Sequence, residues 1–148
     1  MFFLQKSLCF IICLLWFSLG FAGINNPLII NFSKTQYGAA NKNWSISEDE
    51  HGILYFGNDI GLLEFDGIEW KLNKLPKAEV VRSVYAVSNN EIYTGGYEEF
   101  GKWSRQPDGE LTYTSLSKEL PTDNWQNDDI WRILPQGESI YFQSFSGI

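Results

Sequence analysis

The chain has 148 residues, with 11 Lys or Arg against 18 Asp or Glu, so its formal net charge is −7. Nucleic-acid affinity depends mainly on basic side chains that neutralise phosphates, and this acidic balance therefore excludes direct nucleic-acid contact by this segment. A hydrophobic fraction of 44%, with 6 Trp, 7 Tyr and 11 Phe, excludes a disordered chain and indicates a folded one.

Residues 1–22 have the pattern of a secretory signal peptide. Lys6 precedes an apolar run from Leu8 to Leu19, and the small residue Ala22 is a suitable cleavage site. The alternative is an uncleaved anchor, since the charge-free stretch continues past Ile24. A membrane-spanning helix needs about 20 predominantly apolar residues, and polar and small residues interrupt this run. We therefore expect an exported chain that has lost its signal segment.

The cysteine and histidine content excludes several kinds of site. Cys9 and Cys13 are the only cysteines and lie in the signal segment, so no disulfide and no thiolate metal site is expected after cleavage. His51 is the only histidine, and it ends the acidic run Glu48 to His51. Zinc requires three or four protein ligands, and this run also lacks EF-hand spacing. We predict a solvated turn there, and no catalytic residue, metal or cofactor.

Three segments repeat a pattern in which an apolar residue and a tyrosine precede a turn and a second apolar or aromatic run. The tyrosines Tyr55, Tyr93 and Tyr141 are separated by 38 and 48 residues, which average 43. Another apolar run precedes each of them. A unit of this length accommodates four short strands of about 8 to 12 residues each, turns included.

Turn-forming residues interrupt the apolar runs and favour strands over helices. They occur at Asp49 to Gly52, Asn58 to Gly61, Asp66-Gly67, Asn89-Asn90, Asp108-Gly109 and Gln136-Gly137. Asn and Asp tolerate the left-handed conformation and Gly takes positive φ freely, which tight hairpins need. No stretch has a sustained helical period. Each unit is therefore predicted to be a four-stranded antiparallel meander.

The continuously apolar strands predict sheets that are covered on both faces. Repeats of about 40 to 50 residues that stack such sheets radially form β-propellers. The predicted fold is all-β: an incomplete β-propeller of two four-stranded antiparallel blades plus a partial third, after the N-terminal signal segment. A lead-in strand and loop occupies 23–42 and the partial propeller 43–148, with blades at 43–76, 81–121 and 128–148. Because propellers close with about four blades or more, we expect a fragment of a longer protein.

The repeat sequences resemble a known family. The segments that carry the resemblance, within 37–148, are Tyr55 to Gly57, Leu62 to Gly67, Val81 to Val84 and Gly95 to Trp103. They are similar to the N-terminal propeller of bacterial two-component-regulator-propeller sensors, of the type followed by a triple-tyrosine domain, a membrane segment and a LuxR-type helix-turn-helix. The resemblance implies a periplasmic sensor region at the inner membrane, anchored downstream. It also implies further blades, an output domain and homodimerisation through regions outside this chain.

Adjacent carboxylates and repeated tryptophans have structural interpretations. Glu98-Glu99 and Asp128-Asp129 are chain neighbours, but successive strand residues point to opposite faces, so neither pair predicts the facing carboxylates of a glycosidase. Tryptophan faces stack well on sugar rings. At strand spacing, however, packing between blades is the favoured role. The tryptophans concerned are Trp44, Trp70, Trp103, Trp125 and Trp131.

Ligand contacts are expected in loops around the central channel, because the ligand face of a propeller is built by loops between second and third strands and between blades. An acidic surface suits a neutral or cationic small molecule, or an oligosaccharide held by hydrogen bonds and stacking. The candidate residues are Asn58, Asp59, Arg82, Tyr97, Glu98, Trp125, Ser144 and Phe145.

Three function classes are consistent with these predictions. The first is a non-catalytic sensor that recognises an extracellular cue and transmits the bound state to an output domain. The second is part of a propeller carbohydrate-active enzyme, which would need convergent acids. The third is a structural or adhesive propeller. The first is expected, because no pair of carboxylates is predicted to face a single bond.

Overall fold

The computed structural model describes residues 27–77, 80–121 and 127–148. The predicted signal segment and Trp125 lie outside the described residues. Two compact units divide the chain, one ending at Asn31 and the other spanning Phe32–Ile148. In the described ranges, no helix has both the length and the apolar character needed to cross a membrane.

The lead-in segment contains one turn of helix, α1 (Lys34–Tyr37), where a strand and loop are expected. The backbone N–H of Ser33 donates to Gln36 Oε1 at 2.7 Å, which pairs a donor that would otherwise be free at the helix start. Gly38, with φ of 64°, ends the helix in the left-handed conformation that glycine adopts without steric cost. These local signals specify a helical turn in a segment too short for a helical period.

Among the residues that the structure describes, ten strands form three antiparallel sheets of four, four and two strands in chain order. The first sheet, blade 1, contains β1 (Asn43–Glu48), β2 (Leu54–Asn58), β3 (Gly61–Phe65) and β4 (Trp70–Asn73). Blade 2 contains β5 (Val81–Ser88), β6 (Glu91–Gly96), β7 (Glu99–Arg105) and β8 (Leu111–Ser115), and a 3-10 turn follows at Ser117–Glu119. Blade 3 contains β9 (Arg132–Gln136) and β10 (Ser139–Gln143).

The three sheets stack with their first strands side by side. Strand β5 contacts both β1 and β2 of blade 1, and β9 contacts both β5 and β6 of blade 2. This arrangement places the first strands innermost and the fourth strands outermost, as in a β-propeller. The predicted all-β, incomplete propeller of two four-stranded blades plus a partial third is confirmed.

The repeated tyrosines occupy one equivalent position in the three blades. Each lies in a second strand and pairs with a first-strand residue: Tyr55 with Ser47, Tyr93 with Tyr85, and Tyr141 with Leu134. Tyr55 faces blade 2 and is fully buried. Tyr93 faces blade 3, where its ring contacts Phe142 at a centroid distance of 5.9 Å. Because the tyrosines are equivalent, residues of different blades can be compared by counting from them along the strands.

The main apolar core lies between blades 1 and 2. Tyr55 and Leu62 of blade 1 pack with Val81, Ile92 and Trp103 of blade 2, and all five are buried. Burial of this kind contributes about 25 cal/mol for each Å² of apolar surface removed from water, so the blades stabilise one another.

Phe32 and Tyr37 pack against an aromatic cluster on blade 1. Trp70 stacks on Phe65 at a centroid distance of 4.3 Å, and Phe32 meets Trp70 edge-on at 5.3 Å. Tyr37 of α1 lies 5.8 Å from the same indole. Edge-on and offset contacts suit the quadrupoles of aromatic rings. One aromatic cluster therefore links residues 32–37 to the outer strand of blade 1.

Two glycines allow neighbouring blades to approach closely. A Cβ on Gly57 would lie 2.7 Å from the carbonyl oxygen of Val81 in the next blade. Gly95 holds the equivalent position in blade 2, and a Cβ there would lie 2.5 Å from Cγ2 of Ile130. These short distances leave no room for a side chain at either glycine. Glycine therefore allows the innermost strands of neighbouring blades to pack closely.

Candidate functional site

The inner end of the propeller carries a cluster of two indoles and a guanidinium, here called the Trp-Arg-Trp cluster. Trp44, Arg82 and Trp131 each precede by three residues the first-strand partner of a repeated tyrosine. The guanidinium carbon of Arg82 lies 3.9 Å from the ring centroid of Trp44 and 5.4 Å from that of Trp131. The two indoles meet edge-on at 6.4 Å. All three blades thus contribute one residue to the cluster.

Strand irregularities position Trp44 and Arg82. The register shifts between Asn43 and Ser45 in β1, and between Val81 and Ser83 in β5. A bulged residue has no partner in the ladder, and its side chain departs from the regular alternation between the two faces of the sheet. The bulges therefore direct Trp44 and Arg82 toward one another across the two blades.

Carboxylates fix the polar edges of the cluster. Arg82 Nε donates to Asp129 Oδ1 at 3.3 Å, and Trp44 Nε1 donates to Asp59 Oδ1 at 2.7 Å. Arg82 Nη1 and Trp131 Nε1 are buried and have no hydrogen-bond partner among the described residues. The indole faces offset part of the resulting desolvation, because an aromatic face attracts a cation.

The loop between β6 and β7 is fastened to the segment that enters blade 3. Glu98 and Asn127 have φ of 51° and 63°, the positive values that non-glycine residues rarely adopt. Glu98 Oε1 accepts a hydrogen bond from the Asn127 backbone N–H at 2.6 Å, and the Tyr97 hydroxyl donates to Asn127 Oδ1 at 3.2 Å. Such backbone strain is concentrated at functional sites, which makes this loop a candidate contact surface.

The loop after β10 is held by Asp128. The backbone N–H and hydroxyl of Ser146 donate to Asp128 Oδ2 at 2.9 and 2.7 Å. These bonds, the hydroxyl bond first, hold the pKa of Asp128 well below its usual value, because they stabilise the ionised form. Within the same loop, Ser144 Oγ accepts the Ser146 backbone N–H at 3.1 Å. Phe145 is 82% exposed and contacts Trp131 at a centroid distance of 5.4 Å.

Asn58 has a different environment from the other candidate residues. It is fully buried at the end of β2, and its amide nitrogen donates to the carbonyl oxygens of Ala40 and Lys42 at 2.9 and 3.0 Å. Its Oδ1 accepts the backbone N–H of Ala40 at 3.1 Å. The side chain therefore anchors the lead-in segment immediately before Trp44, and the surrounding protein occupies its hydrogen-bonding groups.

The structure brings most of the sequence-predicted residues into one connected surface. Tyr97 pairs with Asp129, which contacts Arg82, and the Glu98 backbone N–H donates to the carbonyl of Asp128 at 2.9 Å. Arg82 lies within β5 rather than in a link between blades. The connected residues are Asp59, Arg82, Tyr97, Glu98, Ser144 and Phe145, whereas Asn58 is fully buried.

Three members of this surface were not among the predicted ligand residues. The sequence interpretation assigned Trp44 and Trp131 to packing between blades, and it treated Asp129 only as half of an acidic pair. One signal would have found the two tryptophans: each lies a fixed distance before the first-strand partner of a repeated tyrosine. That signal becomes readable only when strand register is known.

The connected residues and the Trp-Arg-Trp cluster, together called the channel-end surface, are suited to stacking and hydrogen bonding. Trp44 is 40% exposed and Tyr97 47% exposed, so part of each aromatic side chain is accessible beside carboxylates and hydroxyls. Within 27–77, 80–121 and 127–148, no group of three or more His, Cys, Asp or Glu residues is arranged to hold a metal ion. Ring faces beside polar groups fit a ligand with both apolar C–H surface and hydroxyls.

Comparisons with known proteins supply no relative for this chain. No protein-family model, no curated protein and no solved structure matches it.

Proposed function

We propose that this chain is the N-terminal part of a periplasmic ligand-sensing propeller in a bacterial signal-transduction and transcription regulator. In this proposal the propeller recognises an extracellular oligosaccharide without catalysis, and an output domain outside this chain reads the bound state. Two considerations support it: the resemblance of the repeats to two-component-regulator propellers, and the chemistry of the channel-end surface.

The observation that carries the proposal is the convergence of Trp44, Arg82 and Trp131 from three blades onto one surface. The indole and guanidinium planes provide flat faces for the C–H surface of a sugar ring. Asp59 and Asp129 lie at the edges of the cluster, where carboxylates accept hydrogen bonds from sugar hydroxyls. Since each blade contributes one residue, a ligand here contacts all three blades at once.

This geometry favours a population-shift mechanism. A ligand that spans three blades binds best when the blades hold the spacing observed here, and it therefore stabilises that arrangement over any looser one. An output domain attached to the propeller would then respond to blade spacing. The size of the response is limited by the difference in ligand affinity between the two arrangements.

The proposal is tested by titrating the purified chain with a panel of short neutral oligosaccharides. Intrinsic tryptophan fluorescence and isothermal calorimetry are the readouts, and the reaction mixtures are analysed for cleavage. We expect saturable binding of at least one oligosaccharide, a fluorescence change from Trp44 and Trp131, and an intact sugar. Failure of every oligosaccharide to bind the folded chain would contradict the proposal, and cleavage would favour the enzyme alternative.

Matched variants separate the cluster from the rest of the surface. Trp44→Ala removes an aromatic face from the cluster and is expected to weaken binding at least tenfold, the scale of about 1.4 kcal/mol for an aromatic contact. Tyr141→Ala removes a comparably exposed aromatic ring from blade 3, outside the cluster, and is expected to leave binding unchanged. Equal losses of ligand affinity in the two variants would show that the ligand binds outside the Trp-Arg-Trp cluster.

A further inference from the structure

Blades 1 and 2 differ at the residue that meets the chain entering each sheet. This position follows a repeated tyrosine by three residues and is occupied by Asn58 in blade 1 and by Gly96 in blade 2. A Cβ on Gly96 would clash with the carbonyl oxygen of Val80, so the chain entering blade 2 lies directly against the strand. In blade 1 the fully buried side chain of Asn58 lies between the strand and the entering chain.

The Asn58 side chain holds the chain that enters blade 1 by hydrogen bonds. Counted from the first-strand partner of each tyrosine, Lys42 is the equivalent of Val80. The Lys42 carbonyl oxygen accepts Asn58 Nδ2 at 3.0 Å, and the same nitrogen donates to the Ala40 carbonyl oxygen at 2.9 Å. Asn58 Oδ1 accepts the Ala40 backbone N–H at 3.1 Å. One side chain therefore binds the backbone of two residues, where blade 2 uses direct backbone packing.

The same contacts restrain Trp44. Asn43 pairs with Asn58 in the ladder, and Asn43 Oδ1 accepts Asn58 Nδ2 at 2.7 Å. Trp44 follows in the bulge and has no ladder partner in β2. Asp59 comes directly after Asn58. Its backbone N–H donates to the Lys42 carbonyl oxygen at 3.3 Å, and its Oδ1 accepts the Trp44 indole N–H at 2.7 Å. The position of the indole therefore depends on Asn58 and its neighbour.

We propose that Asn58 is the positioning residue of the Trp-Arg-Trp cluster, and that it couples residues 40–43 to the placement of Trp44. Asn58 is fully buried, so it acts through Trp44 and does not contact a ligand itself. Coupling between sites is reciprocal, so a ligand that stabilises the cluster also tightens residues 40–43 against β2. The statement about a ligand rests on the proposed function, whereas the placement of Trp44 does not.

The test compares two substitutions in the full chain by NMR. Asn58→Asp keeps the size and the acceptor oxygen of the side chain but removes its N–H donors. Asn58→Gly introduces the residue that blade 2 has at this position. In both variants we expect weaker nuclear Overhauser cross-peaks between the Trp44 and Trp131 indoles. We also expect hydrogen exchange of the Trp44 indole N–H to accelerate about tenfold, the scale of one lost hydrogen bond.

Thr94→Val is the matched control, because it also removes a buried hydrogen bond but lies in blade 2. The Thr94 hydroxyl accepts the indole N–H of Trp103 at 2.9 Å, and Thr94 is buried. This variant is expected to lower stability in urea while leaving the cross-peaks and the exchange rate of Trp44 unchanged. Circular dichroism checks that the sheets of each variant are formed.

Ligand affinity is measured separately, so that failure of this inference and failure of the proposed function are distinguishable. For a short neutral oligosaccharide that binds the parent chain, Asn58→Gly is expected to raise the Kd about tenfold, within the usual range of coupling between sites. Thr94→Val is expected to leave the Kd unchanged. If no oligosaccharide binds the parent chain, the proposed function fails, and the NMR comparison still decides the role of Asn58.

Three outcomes would overturn the inference. The first is an unchanged Trp44 signal in folded Asn58→Asp and Asn58→Gly chains. The second is an equal change in Thr94→Val, which would show general loosening rather than positioning. The third is failure of both Asn58 variants to fold, which would make this residue a determinant of folding and not of the placement of Trp44.

Discussion

Arg105 of blade 2 and Glu64 of blade 1 form an ion pair across the inter-blade core, with Nη2 and Oε1 2.7 Å apart. Their side chains are only 15% and 10% exposed. The same Nη2 donates to the Tyr55 hydroxyl at 3.1 Å, and that hydroxyl donates to Asp49 Oδ2 at 3.1 Å. Burial would by itself lower the pKa of Arg105, but the Glu64 carboxylate and the Tyr55 hydroxyl outweigh it and raise that pKa. The network therefore holds the two blades in one register.

Arg105→Met is expected to destabilise the chain by about 3 kcal/mol, because it leaves Glu64 buried without its counter-charge. Urea unfolding followed by circular dichroism measures the change. The matched control is Lys71→Met, which breaks a pair with Glu110 that has the same 2.7 Å separation but exposed side chains. Its expected cost is about 0.5 kcal/mol, the value for surface pairs. If the two substitutions destabilise the chain equally, burial of the Arg105–Glu64 pair does not determine its contribution to stability.

Gly57→Ala is expected to lower the free energy of unfolding by about 2 kcal/mol. The added Cβ would clash with the backbone carbonyl of Val81, which cannot rotate away. Gly147→Ala is the control, since a Cβ at that glycine meets no atom within 4 Å. Thermal unfolding of both variants measures the difference. A Gly57→Ala variant as stable as the parent would mean that blades 1 and 2 do not approach as closely as described.

Asp128 is expected to stabilise the fold in a pH-dependent way. Its folded-state pKa lies below the usual value of 3.8, so its contribution is present above about pH 4 and is lost as the pH falls further. The difference in unfolding free energy between the parent chain and Asp128→Asn is therefore expected to shrink below pH 4. Carbon-13 NMR of the carboxyl group follows the titration directly. Ser146→Ala is expected to raise the pKa of Asp128, and an unchanged midpoint would contradict the assigned cause.

Tyr93 is expected to resist ionisation at alkaline pH. Burial, and then its hydrogen bond to Glu91 Oε1 at 2.6 Å, raises the pKa of Tyr93 from 10.0 to about 12. The stability that this hydroxyl contributes is present below pH 10 and is lost as the pH rises toward 12. Ultraviolet titration of tyrosinate in the parent and in Tyr93→Phe isolates this group. A pKa of Tyr93 near 10 would contradict its burial and its hydrogen bond to Glu91.

The strands and their grouping were predictable from the sequence for a local reason. Apolar runs that are repeatedly interrupted by Asn, Asp and Gly turns permit few arrangements other than short antiparallel strands. The repeated Tyr55, Tyr93 and Tyr141 then identify the equivalent strand of each sheet. The helical turn α1 was missed because four residues cannot display a helical period.

The site was less predictable because its geometry depends on distant partners. Asn58 is a turn-forming residue in the sequence, but in the structure it bonds the backbone of Ala40 and Lys42, which lie 18 and 16 residues away. Trp44 and Trp131 are 87 residues apart and meet only because β1 and β9 both lie near the axis. No local sequence pattern predicts such contacts. The pairing of residues between strands predicts them, but it is known only from the structure.

The central claim is that the first strands of three blades converge at one end and bring Trp44 and Trp131 into contact. Nuclear Overhauser spectroscopy on a sample with selectively protonated tryptophan tests it directly, and Trp44→Ala assigns the signals. We predict cross-peaks between the two indoles, whose ring centroids are 6.4 Å apart and whose planes meet edge-on. Absence of those cross-peaks in a chain whose sheets are all formed would contradict the radial arrangement and, with it, the channel-end surface.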